Sequence, residues 1–586
     1  MTAAPPRRPR DGSAHELGFV RQRAVRWLAP GVLVATGAKA LLATIFGAYA
    51  DKREVQGSLP SQVYSYAEDE ELWLDYVADL GDGFDATYSV ATVLARPEID
   101  VGDASLPRGR LLVMGGDEVY PAASNLAYRD RTRGVYQAAF PAPDGEPRPA
   151  LFALPGNHDW YDGLTAFLRT FAQRRPFGAW TTEQTRSYFA IQLPHRWWLF
   201  AIDTQFDDHI DAPQLAYFAD AAAKLEPGDA VILCTPSPAW VNAGSPSEAE
   251  AEAYDIIEYF EAEFVRPAGA SIRLMLSGDK HHYARYAERD GDRQNITCGL
   301  GGGYLASTHE LPERLELPPP TTPAREAEPT ATYDLAARYP SKRRSQLFAA
   351  GILRLPWRNP GFWGMTGLVQ SAVTLAVLFA IAGPFGGERG FFELVAAWTP
   401  AVLLGGLLVV GAAAFARLDA HTRRRPATVA GVLHGVAHLA LNVTWALGII
   451  ELYRLLPHNL VTNWSTLLLI VAGTPLVLGF AHSELVAVYL MVASKFGINL
   501  NELMAGQSIE DHKGFLRLHI DPGGALTVHP IAVPHVSRAW RADPDGAPSD
   551  PQLHPVAPLV PVRIEAPVTV PRERTRHQPA GRHDVP

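Results

Sequence analysis

The chain has 586 residues, too many for one ordinary core, so at least two domains are expected. A net charge of -10 excludes a general nucleic-acid binder, which needs a basic footprint to neutralise phosphates. Cys234 and Cys298 are the only cysteines, which excludes a disulfide framework and suits a reducing compartment.

Residues 1–27 are basic, Pro- and Arg-rich through Ser13, and are expected to be disordered. An apolar stretch at 28–50, broken only by Lys39, reads as one helix, interfacial or packed. A membrane span is the alternative, as is a signal peptide, because Ala48-Tyr49-Ala50 resembles a cleavage site.

Residues 51–310 alternate short apolar runs with polar loops and helical patterns, which is α/β organisation. Leu111-Leu112-Val113-Met114, Leu151-Phe152-Ala153-Leu154, Trp198 to Ile202 and Val231-Ile232-Leu233 read as buried strands. Residues 311–360, with Pro318-Pro319-Pro320, read as a linker. Within 361–496 lie four apolar stretches, each long enough to cross a hydrocarbon core of about 30 Å. Lys342, Arg343, Arg344, Arg354 and Arg358 precede the first, Arg417 and Arg423 to Arg425 follow the second, and Lys495 follows the fourth. The positive-inside rule then puts both ends of this segment, and the α/β domain with them, in the cytoplasm. Residues 497–540 are expected to hold a β-hairpin around Asp521-Pro522-Gly523-Gly524, able to dock on the α/β domain. The Pro-rich tail, 541–586, is expected to be disordered.

Four polar clusters carry the chemistry: Asp79-Leu80-Gly81-Asp82, Gly116-Asp117-Glu118-Val119-Tyr120, Gly156-Asn157-His158-Asp159 and Gly278-Asp279-Lys280-His281-His282. Each follows an apolar run, and open α/β sheets gather their ligand sites at the carboxyl ends of strands. Singly, any of them could be a turn. In this order they resemble the calcineurin-like metallophosphoesterase family, over roughly residues 72–310.

The resemblance implies a sandwich of two β-sheets flanked by helices, joined here to an all-α transmembrane domain of about four helices. It implies two divalent or mixed-valence metal ions (Mn, Fe or Zn) and hydrolysis of a phosphomonoester or phosphodiester by metal-activated hydroxide. Asp79 and His281 would hold one metal, Asn157 and Asp279 the other, and Asp117 would bridge them. His158 would act as general acid or transition-state donor, held by Asp159. The Asp-x-Gly form of the first motif and the Gly-Asp-x-x-Tyr form of the second resemble purple acid phosphatases, where a Tyr in the place of Tyr120 binds iron. A buried Tyr closing the turn before Pro121 is the plainer reading. The His that the family carries after the strand at Val231 would fall near Pro236 and is absent. Cys234, His209 and His282 are substitutes to consider, and Asp82 is a further ligand or supporting candidate.

The substrate class is then a phosphate ester, with a lipid-linked one suggested by the membrane segment, in an integral membrane protein (of the plasma membrane if bacterial). A catalytically degenerate sensor or scaffold is the alternative. Gly301-Gly302-Gly303 could approach a phosphate or form a plain turn. His434, His438 and His482 lie in the apolar segments, where interhelical hydrogen bonds or ion movement could employ them.

Overall fold

The structure is a computed structural model, which describes residues 12–46, 52–141, 148–204, 210–243, 254–318, 330–382, 390–418, 424–461, 464–543, 546–547 and 549–573. The chain divides into two compact units. The first comprises residues 1–25, 35–342 and 509–586, and the second residues 26–34 and 343–508.

The first unit contains two nine-stranded sheets. Across one run Val63–Ser65, Phe189–Gln192, Trp197–Ala201, Ala230–Cys234, Ser271–Ser277, Gln294–Cys298, Tyr283–Glu288, Ala331–Tyr339 and Arg314–Leu317. Across the other run Val562–Arg563, Leu526–Val533, Lys513–Ile520, Leu72–Val77, Leu111–Met114, Ala150–Ala153, Trp180–Thr182 and Pro176–Phe177, with Val568–Val570 also on Leu526–Val533. The apolar runs are buried end to end, as Leu111–Met114 and Ala230–Cys234 show. Strands covered on both faces need no alternation of apolar and polar residues.

Several boundaries expected from composition are corrected. The segment read as a linker supplies the strands Arg314–Leu317 and Ala331–Tyr339, so the α/β unit runs on past residue 310 to Lys342. The tail read as disordered forms Trp540–Ala542 against Leu553–Pro555, then adds Val562–Arg563 and Val568–Val570 to the second sheet. Its described prolines lie mostly between these short strands, outside the ladders that need a backbone N–H. The N-terminal segment is described from Gly12, and Leu17, Phe19 and Val25 in it are buried. The Val20 and Val25 N–H groups donate to Asp130 Oδ1 (3.2 Å) and Asp82 Oδ1 (2.6 Å). Ala48-Tyr49-Ala50 lies outside the described residues; the helix before it is Pro30–Phe46.

After the second unit the chain re-enters the first. Lys513–Ile520 pairs antiparallel with Leu72–Val77, more than four hundred residues earlier, and with Leu526–Val533. The join carries a buried ion pair, Arg517 to Asp75, with contacts of 2.7 and 3.0 Å.

The second unit contains four long helices, Pro360–Ala382, Phe391–Ala416, Arg424–Leu455 and Trp464–Ala493. All four are long and apolar enough to cross a membrane. Their outward faces are apolar too: Leu368, Leu403, Leu433 and Leu468, one on each helix, are 64 to 71% exposed. A bundle built for water would bury such side chains.

Candidate metal centre

The parallel neighbours Leu72–Val77, Leu111–Met114 and Ala150–Ala153 lead directly into Asp79, Asp117 and Asn157. From the other sheet Ser271–Ser277 leads into Asp279 and His281. The two strand edges are stitched together at Asp79. Its N–H donates to Gly116 O (2.9 Å), while its Oδ1 accepts from Asp279 N (2.9 Å) and its Oδ2 from His281 N (3.2 Å). Asp79, Asp117, Asp279 and His281 all have left-handed backbone, with φ of 60, 54, 69 and 44°. Such conformations cost about 1–3 kcal/mol per non-glycine residue and persist where surrounding contacts impose them, often at functional sites.

Asp79, Asp117 and His281 converge. One ligand atom from each lies within 4.8 Å of the others, and all three residues are buried. The Tyr120 hydroxyl sits between two of them, donating to Asp117 Oδ2 (3.0 Å) and lying 2.7 Å from His281 Nε2. Close approach requires glycine nearby. A Cβ on Gly156 would lie 2.1 Å from Asp117 Oδ1, and one on Gly299 would lie 1.8 Å from Asp79 Oδ2.

Burial, then the Asp279 charge, pushes the Asp79 carboxyl up to about 8. Burial, with Asp79 and Asp159 adding to it, pushes Asp117 well above the usual carboxylate range. Burial lowers the His281 imidazole to about 3, leaving it neutral and available as a ligand. Asn157 adds an amide whose Oδ1 is buried without a hydrogen-bond partner, while its Nδ2 donates to Tyr161 OH (3.3 Å). Anionic oxygens, a neutral imidazole and an orphaned amide oxygen are the donor set that a hard or borderline cation satisfies. A metal ion therefore fits the residues present.

The structure sorts the remaining candidates. Asp279, His282 and Cys234 fall outside the converging group. Asp279 pairs with Lys280 at 3.0 Å; burial pushes its carboxyl up, but the Lys280 ammonium outweighs that and holds it below the usual range. Cys234 ends a buried strand, where burial keeps its thiol protonated. Asp82 accepts the Val25 N–H and so secures the N-terminal segment. His209 lies outside the described residues. The loop after Ala230–Cys234 does reach the site, since a Cβ on Gly116 would lie 3.6 Å from Pro236 Cα, but it brings proline there.

His158 is not held by Asp159, which is a correction to the expected catalytic pair. Its Nδ1 is 2.8 Å from Pro121 O, so that nitrogen carries the proton and Nε2 is the acceptor in the neutral ring. Burial lowers this imidazole to about 4. Asp159 turns back on the loop, accepting from Gly156 N (2.8 Å), Glu118 N (3.2 Å) and Tyr128 OH. A carboxylate in the first turn of Asn157–Trp160 is well placed for such backbone donors. The Gly301 and Gly303 N–H groups donate to Ala78 O (2.8 Å) and Asp79 O (2.7 Å), which makes this a supporting turn. Tyr161 and Tyr128 were not singled out in the sequence. Tyr161 lies one helical turn after Asn157, a spacing that signals contact; Tyr128 carries no such local signal.

No protein-family model matches the sequence, and no curated protein matches it. Among solved structures the chain is similar to one described as "Structure of PhoD", at 11% identity over 48% of this chain and 70% of that one, with a TM-score of 0.28.

Proposed function

We propose that the chain is a membrane-tethered, metal-dependent phosphoesterase acting on a phosphomonoester or phosphodiester. The observation that carries this reading is the convergence of Asp79, Asp117 and His281 at the meeting edges of two sheets. It is joined by the order of the four sequence motifs. In this reading Asp79, Asp117 and His281, with Asn157 and Asp279, hold two metal ions of the Mn, Fe or Zn kind. Ions so held supply Lewis-acid stabilisation of the attacking and leaving oxygens. His158 presents Nε2 as the nearby proton acceptor, its ring fixed by Pro121 O, and Tyr120 orients Asp117 and His281.

A phosphate ester near the bilayer, including a lipid-linked one, is the substrate class that suits the four apolar helices. Two features support a single-sided arrangement. The chain leaves the first unit at Lys342 and rejoins it at Ile509, so the number of crossings between is even. Val25 bonds to Asp82, and Arg53 pairs with Asp211 at 3.1 Å, so the chain lies in the first unit before Arg26 and again at Arg53, and the helix Pro30–Phe46 between them is read as interfacial. The basic flanks of the spans favour the cytoplasmic side. Protease protection of residues 52–342 in inside-out vesicles would contradict that orientation.

Pro236, in place of a ligating His, favours a second reading, a degenerate scaffold. Hydrolysis of p-nitrophenyl and bis-p-nitrophenyl phosphate by the full-length protein, supplied in turn with Mn²⁺, Fe²⁺ or Zn²⁺, separates the two. The enzyme reading expects turnover that chelation abolishes. No turnover with any metal favours the scaffold.

A further inference from the structure

The second unit buries a chain of three histidines that the phosphoesterase chemistry does not use. His434 and His438 lie one turn apart on Arg424–Leu455, and His482 lies on Trp464–Ala493. All three are more than nine-tenths buried. His438 Nδ1 is 2.5 Å from His482 Nδ1, and His438 Nε2 is 2.8 Å from His434 Nε2. His438 therefore meets its neighbours through opposite nitrogens. The outer nitrogens, His434 Nδ1 and His482 Nε2, are buried without a hydrogen-bond partner. The flanks position this line. Tyr489 stacks on His434 at 4.0 Å with planes 1° apart, while Asn442 donates to His438 O (2.9 Å) and to Gln370 Oε1 (2.7 Å).

A single metal ion does not explain this arrangement. The two nitrogens of one imidazole point away from each other, so an ion beside either of them meets only one outer histidine. A packing role alone gives the two unsatisfied outer nitrogens no use, whereas proton transfer needs an acceptor at one end and a donor at the other. A neutral imidazole is one donor and one acceptor, and it is suited to passing protons.

We propose that His482, His438 and His434 form a proton relay inside the helical unit. In one polarity His482 Nδ1–H donates to His438 Nδ1, and His438 Nε2–H donates to His434 Nε2. His482 Nε2 is then a bare acceptor and His434 Nδ1–H a donor. A proton added at His482 Nε2 releases the Nδ1 proton to His438. His438 passes its Nε2 proton to His434, which releases its own from Nδ1. Each ring gains one N–H and loses one, one proton has crossed the chain, and no electrons move. The polarity is now reversed, so a second proton follows in the same direction only after the rings reset, while the return direction is open at once.

The test uses the full-length protein in liposomes holding a pH-sensitive dye, with an imposed pH difference and the membrane potential clamped by potassium and valinomycin. The relay predicts that wild type dissipates the gradient faster than protein-free liposomes and that His438→Gln slows the protein-dependent rate at least tenfold. Glutamine retains hydrogen bonds but has no second exchangeable ring nitrogen. Should that variant not fold, His482→Gln and His434→Gln, each interrupting one end, are expected to give the same loss. Wild type no faster than empty liposomes overturns the relay, as does undiminished flux in the folded variants. An equivalent of zinc, copper or iron lost specifically in His438→Gln also overturns it, in favour of a metal site.

Discussion

Among the described residues, two buried clusters of titratable side chains place opposite demands on their surroundings. In the first unit Asp79 and Asp117 are gathered with His281, and burial together with neighbouring carboxylates opposes their ionisation. In the second unit His434, His438 and His482 are gathered with no carboxylate in their chain, and neutral imidazoles satisfy one another. Carboxyls gathered this closely ionise together only beside a cation; a neutral imidazole chain needs only a free end. Burial alone does not reveal a metal site. The sign of the charge that is gathered does.

The comparison breaks most sharply at Asp117. Loss of a partner outside the ligand shell costs about 10–100-fold in metal affinity or activity, so loss of a ligand exceeds that. Asp117→Asn is expected to lower turnover more than about 100-fold. It also removes a repelling charge, so its melting temperature is expected to be no lower than that of chelator-treated wild type, and chelator should shift it less than it shifts wild type. A variant that melts below the metal-free wild type would show that Asp117 is needed for packing rather than for a cation.

Asp75 and Arg517 form the matched case, a buried anion that already has its cation at 2.7 Å. Removing one partner of such a pair costs about 3–5 kcal/mol. Arg517→Ala is expected to destabilise the first unit by that amount in denaturant titration, with or without metal. Metal supplied in excess should not restore it.

Gly299→Ala tests the closeness of the site without changing charge. Its added Cβ would lie 1.8 Å from Asp79 Oδ2, so metal affinity is expected to fall by about 10–100-fold, as for other disturbed supports of a ligand. Titration of metal into chelator-treated protein measures it. Cys234→Ala is the smallest change. A buried strand thiol that takes no part in the cluster should cost about 1 kcal/mol in stability and leave metal content unchanged.

Much of the site was legible because its signals are local. Asp79, Asp117 and His281, which converge, each stand just beyond an apolar run, and strand ends in an α/β sheet face a common edge. The support of His158 was misread, because Pro121 O is a backbone atom and leaves no mark in side-chain chemistry. The four long helices were legible from length and apolarity, but the contact of His482 with His438 depends on the packing of two helices. The edge strands Val562–Arg563 and Val568–Val570 were the least legible, being two and three residues long among prolines. No window of sequence that short holds a periodicity to detect.

Holding metal is the role proposed for the buried cluster of Asp79, Asp117 and His281. Elemental analysis of the purified full-length protein tests it most directly, comparing wild type with Asp117→Asn after growth with Mn, Fe and Zn supplied. The account predicts about two metal ions per chain in wild type, as a two-metal site requires, and at most about one in the variant. Wild-type protein free of metal under every supply, or a variant with undiminished content, would contradict it.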